Sequence, residues 1–187
     1  MGVPFLDPGP MRAEEFFAFT DTRPDEEKWE LIEGEPILNA SVARLHQKIV
    51  GNLTVLLGEL ARRTNAGWEV LPGLGVRVSD INVPVPDVLI RPNDGLIGVE
   101  CADMIVAFEV LSPSTANRDL RWKRKAYAKL DSLAQYVVIA QDAIDVVSYD
   151  RATGFAERRL ERIGDELDLP AIGARLALGE ICRDTGL

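Results

Sequence analysis

Asp103-Met104-Ile105-Val106-Ala107-Phe108-Glu109-Val110-Leu111 is apolar on both of its alternating faces once Asp103 and Glu109 are set aside. A strand with one wet face alternates apolar and polar residues, whereas a strand covered on both sides has no polar face to present. This stretch therefore predicts a central strand enclosed by layers on either side. On its N-terminal side, short strands are expected at residues 68–71, 75–78 and 85–90. After it come a helix over residues 118–130, a strand at 134–140 and a hairpin of 144–149 with 155–160, joined at Ala152-Thr153-Gly154. Nearer the N-terminus, residues 11–19 read as a short helix. Residues 29–32 and 35–38 form a hairpin about Glu33-Gly34. Ile49, Val50, Leu53, Leu56, Leu57 and Leu60 recur at gaps that put them on one face of a helix over 43–63, stopped near Asn65 and Gly67. The tail, 163–187, reads as a final strand and a short turn of helix. The order of elements describes an α/β chain of the α+β kind: one domain over 1–187, with a mixed central sheet flanked by helices.

Composition narrows the class. The chain has 187 residues, 47% of them hydrophobic, enough for one substantial core. No apolar run approaches the roughly 20 residues of a membrane-crossing helix, and the N-terminus lacks the basic-then-apolar pattern of a signal peptide. A cytoplasmic location is the expectation. Two cysteines, Cys101 and Cys182, and a single histidine, His46, leave no common zinc site. The formal net charge of -9 opposes nonspecific attraction to a phosphate backbone. Against that average, Arg118, Arg121, Lys123, Arg124, Lys125 and Lys129 crowd one helix that holds a single acid, Asp119. Such a run is either a solvated face or a set of phosphate contacts.

Glu109 is the most informative residue. Inside an apolar strand its carboxyl must be protonated, paired or bound to a metal, because an isolated buried charge is too costly. Asp87, in Pro86-Asp87-Val88-Leu89-Ile90, poses the same question. Either each acid ends a strand or meets a basic side chain, or a cation lies between the two. Oxygen ligands of this kind suit Mg²⁺ or Mn²⁺. At 100° per residue, Leu120, Lys123, Tyr127 and Leu130 fall within roughly 80° of one another. Lys123 is thereby directed inward on the helix that follows the Glu109 strand, within reach of that carboxylate, unless only its stem is buried. Two acids and a lysine suit metal-assisted phosphodiester hydrolysis. No serine or cysteine is placed for nucleophilic catalysis with a histidine base, and there is no glycine-rich phosphate loop.

Pro86-Asp87 followed by Glu109-Val110-Leu111 resembles the PD-(D/E)XK nuclease signature. More narrowly, the chain resembles the Uma-type restriction endonucleases, a bacterial family. The matching pieces are Trp29-Glu30-Leu31-Ile32-Glu33-Gly34-Glu35, His46-Gln47, Val85-Pro86-Asp87-Val88, the string EVLSPST from Glu109, then Asp119, Lys123, Tyr127 and Gln135-Tyr136. They span about residues 29–160. The resemblance implies a restriction-endonuclease-like fold, Mg²⁺ or Mn²⁺ held by Asp87 and Glu109, and a further carboxylate, Glu30 by position, with Glu33 and Glu35 as its alternatives. It also implies DNA as the substrate and a homodimer. His46 and Gln47 would line the cleft. From the basic run itself, Arg118, Arg121, Arg124 and Lys125 are the candidate phosphate contacts. One departure stands out: Leu111 occupies the place of the motif lysine, so the resemblance requires Lys123 to replace it from the next helix. Two other functions fit the same residues, a nuclease fold kept as a binding module without turnover and a small-molecule phosphodiesterase.

Overall fold

A computed structural model describes residues 9–39, 43–95, 97–111 and 118–187, with the backbone alone for 118–120. Residues 112–115 of the EVLSPST string fall outside them, as does the side chain of Arg118. Helix α1 (Ala13–Thr20) leads into the hairpin β1 (Trp29–Ile32) and β2 (Glu35–Leu38), then the long helix α2 (Arg44–Thr64). The predicted limits of both helices hold to within two residues. Asn65 ends α2 in the left-handed conformation at φ 49°, with its N–H turned back onto the helix carbonyls.

Next come β3 (Trp68–Pro72), β4 (Gly75–Val76), β5 (Val88–Pro92), β6 (Glu100–Cys101) and β7 (Val106–Leu111). A wide π-type winding over Arg118–Lys123 runs into the single α-helical turn α3 (Arg124–Tyr127). The chain continues through β8 (Gln135–Ala140), β9 (Val146–Asp150), β10 (Ala156–Leu160), the hairpin β11 (Glu166–Leu169) and β12 (Ala174–Ala177), and α4 (Leu178–Ile181).

Six strands form the central sheet in the order β10-β9-β8-β7-β5-β3. Within this sheet, among the described residues, only the pairing of β7 with β8 is parallel, and the α3 segment lies in the crossover that joins them. As predicted, β7 sits inside the sheet with both faces covered. Val106, Phe108 and Val110 pack toward Ile49, Leu53 and Leu57 of α2 and toward the β11–β12 hairpin. Ala107 faces the other layer, with Tyr127, Tyr136 and Tyr149. The sheet and its flanking helices thus match the expected mixed architecture.

Several boundaries differ for physical reasons. The strand expected at 85–90 begins only at Val88, because Pro84 and Pro86 lack the N–H that a ladder needs. The strand expected at 75–78 is two residues long and pairs with the short β6, which the sequence does not signal. The tail makes a two-stranded hairpin before its helical turn, in place of one strand. The helix expected over 118–130 begins as the wider π winding and ends at Tyr127, with Leu130 in the turn beyond it. Among the described residues, no helix is long and apolar enough to cross a membrane.

Candidate active site

Register places the two acids. In the antiparallel pairing of β5 with β7, Val88 stands opposite Phe108 and Leu89 opposite Ala107. Asp87 immediately precedes Val88 and Glu109 immediately follows Phe108, so the two acids sit at the same end of this strand pair. The pairing is closed by a side chain: Asp87 Oδ2 accepts the Val110 N–H at 2.7 Å. The sequence order Pro-Asp at the start of one strand and Glu near the end of its neighbour is what produces this juxtaposition.

Lys123 completes the group from the crossover. Its Nζ lies 2.9 Å from Glu109 Oε1 and 2.8 Å from Glu30 Oε1, and donates to the Val85 carbonyl at 2.9 Å. Glu30 is 0%, Glu109 2% and Lys123 3% exposed. The helix arithmetic that pointed Lys123 and Tyr127 the same way is met, since the Tyr127 hydroxyl donates to the same Glu109 Oε1 at 3.3 Å. The π-type turn that carries Lys123 widens the helix where it meets the acids. Such windings recur at functional sites.

Glu30 belongs to the floor of this group, not to the outer face of its hairpin. Its Oε1 also accepts the Val85 N–H at 2.8 Å. Glu33 and Glu35, the alternatives, are exposed, and Glu33 instead accepts from the Trp122 indole at 3.2 Å. Val85 is the participant that side-chain reasoning misses. Flanked by Pro84 and Pro86, it lies outside the named strands, so its own N–H and carbonyl are available to Glu30 and Lys123. The Pro-Val-Pro spacing carried that signal.

His46, on the first turn of α2, is buried, and its Nε2 lies 3.2 Å from Asp87 Oδ2. A carboxylate oxygen only accepts, so Nε2 is the donor in this contact. Its Nδ1 is buried with no hydrogen-bond partner among the described residues. Gln47 is not brought to the acids. It is exposed and lines a shallow groove with Asn52, Glu180 and Arg183. Of the basic run, Arg121 and Lys125 are exposed, whereas Arg124 stacks its guanidinium 4.6 Å from the centre of the Tyr149 ring.

The donor chemistry fits a hard divalent cation. Among the described residues both polar contacts of Asp87 use Oδ2 and none uses Oδ1, and the side chain is 24% exposed. Two carboxyls, those of Glu30 and Glu109, meet one ammonium, and Asp87 bonds to the N–H of Val110 beside Glu109. Among the described residues no three His, Cys, Asp or Glu side chains form a metal cage. An ion here would take one or two carboxylates and water, the usual habit of Mg²⁺.

A family model described as "Uma2: Putative restriction endonuclease" matches residues 13–179. Among solved structures, the chain is similar to a putative nuclease belonging to DUF820 from Anabaena variabilis ATCC 29413. That likeness has a TM-score of 0.76 at 16% identity and covers 92% of this chain and 98% of the other. At that identity the fold is what the two chains share. No curated protein matches this chain.

Proposed function

We infer the function from one premise: the chain belongs to the Uma2 family, a family of restriction-endonuclease type. The reading it supports best is a Mg²⁺- or Mn²⁺-dependent endonuclease acting on the phosphodiester bonds of DNA. The observation that carries it is the meeting of two strand-end acids, Asp87 bonded to the N–H of Val110 next to Glu109, with Lys123 of the crossover on Glu109. Asp87 and Glu109 would hold the ion. Such an ion lowers the pKa of an attacking water and neutralises charge on the phosphoryl oxygens.

The chain's own residues then have separable tasks. Asp87 offers Oδ1 while the Val110 N–H and His46 fix its Oδ2. Tyr127 and Lys123 fix the Glu109 carboxyl and balance its charge. Exposed Arg121 and Lys125 lie on the same crossover, placed to meet backbone phosphates without reading bases.

A second reading, a nuclease fold that binds without turnover, draws on the net charge of -9 and on Leu111 in the place of the motif lysine. Calorimetric titration with Mn²⁺ separates the two. The wild-type chain is expected to bind, with binding lost in folded Asp87→Ala and Glu109→Ala variants. Wild-type affinity in both variants removes the metal assignment. Binding without cleavage of any DNA offered favours the inactive module.

A further inference from the structure

The environment of the Lys123 ammonium resembles the first shell of a hard metal ion. An ammonium has three N–H donors and no acceptor. Oxygens that meet it include Glu30 Oε1 at 2.8 Å, Glu109 Oε1 at 2.9 Å and the Val85 carbonyl at 2.9 Å. Two carboxylates and a backbone carbonyl are the ligand types that Mg²⁺, Mn²⁺ and Ca²⁺ take. The point they surround is also sealed, with the side chains of Glu30, Glu109 and Lys123 all at 3% exposure or less.

We propose that Lys123 is a positioning residue whose ammonium holds, from within the chain, the place of a divalent cation between Glu30 and Glu109. Built into the fold, this charge neutralises the buried acids and confines exchangeable metal to the Asp87 side of Glu109. The proposal rests on the nuclease reading for its consequence, which is one divalent ion per chain. It rests on the lysine geometry alone for its test.

The dimensions permit the exchange. Oxygen ligands stand at about 2.0–2.1 Å from Mg²⁺ and 2.3–2.6 Å from Ca²⁺. From 2.8–2.9 Å, the cage has to close by less than about 1 Å. The Val85 carbonyl is held between two prolines, while the two glutamates have side-chain torsions that can supply the movement. Removing the ammonium leaves two buried carboxylates with a lost counter-charge, a strong incentive to capture a cation.

The test is the number of Mn²⁺ ions bound per chain, counted by electron paramagnetic resonance in wild type, Lys123→Met and the double variant Glu30→Gln/Lys123→Met. Methionine keeps an unbranched apolar stem and removes the charge. Lys123→Met is expected to bind one ion more than wild type, and the double variant to return to the wild-type number. Melting of Lys123→Met should fall in EDTA and recover by several degrees with saturating Mn²⁺, because a ligand of the native state raises its stability by mass action. An unchanged count overturns the proposal, as does an extra ion that survives in the double variant. A Lys123→Met chain that stays unfolded at millimolar Mn²⁺ overturns it too, since the vacated cage then holds no ion. A wild-type count of zero removes the nuclease reading, while the difference between wild type and variant still decides the role of Lys123.

Discussion

Replacing Glu30 with alanine should be among the most destabilising single changes near the site. Glu30 is fully buried and its Oε1 serves two donors at 2.8 Å, the Lys123 ammonium and the Val85 N–H. A hydrogen bond to a charged group contributes about 1.5–3 kcal/mol. Stranding a buried charge completely costs about 3–5 kcal/mol. Lys123 keeps Glu109 and the Val85 carbonyl after the change, so its charge is not stranded. The expected loss is therefore set by two charge-assisted bonds, together about 3–6 kcal/mol. Glu30→Gln retains a side-chain oxygen for both donors and loses only the charge, so about 1–2 kcal/mol is expected. With a urea m-value of about 2 kcal/mol/M, the alanine midpoint should fall by about 1.5–3 M and the glutamine midpoint by about 0.5–1 M. A Glu30→Ala loss below about 1 kcal/mol, at unchanged m, would refute the claim that this carboxyl anchors the lysine.

Two further outcomes are expected. Burial pushes the Cys101 thiol up to about 11, so the fold favours its neutral form. This contribution is intact below the ordinary thiol range and is lost as the pH rises from there toward 11; Cys101→Ala should flatten that alkaline fall in denaturation experiments. If DNA is the ligand, Arg121→Ala/Lys125→Ala should weaken binding across sequences and reduce the salt slope by about 2, whereas Arg124→Ala should act mainly on stability through Tyr149. An unchanged salt slope in the double variant would place the phosphate contacts elsewhere.

The long apolar and periodic segments were legible because burial imposes their pattern. The two-faced β7 and the amphipathic α2 were both readable in this way. So was the convergence of Glu109 and Lys123, since an acid in a core strand and a lysine on an inward helix face each require a partner. What escaped the sequence has local or backbone causes. Val85 contributes through main-chain atoms, which leave no trace in side-chain chemistry, and only its flanking prolines reveal it. The two-residue β4 and β6 are too short for any periodicity. Arg124 is placed by an aromatic ring from a strand far along the chain, so the basic run could not disclose that one of its members is stacked. Gln47 follows His46 on the helix but points about 100° away, which is why the pair does not act together.

The contacts that build the site also bear on when it exists. Strands β8, β9 and β10 follow one another through short turns, but Glu30 meets Val85 across 55 residues and Trp122 meets Glu33 across 89. Loop-closure entropy must be met before such distant contacts yield anything. The acids at Glu30, Asp87 and Glu109 also leave the ribosome before their lysine does. A nascent chain therefore carries the carboxyl groups without their counter-charge until the crossover docks. The centre therefore forms no earlier than the docking of the crossover that carries Lys123.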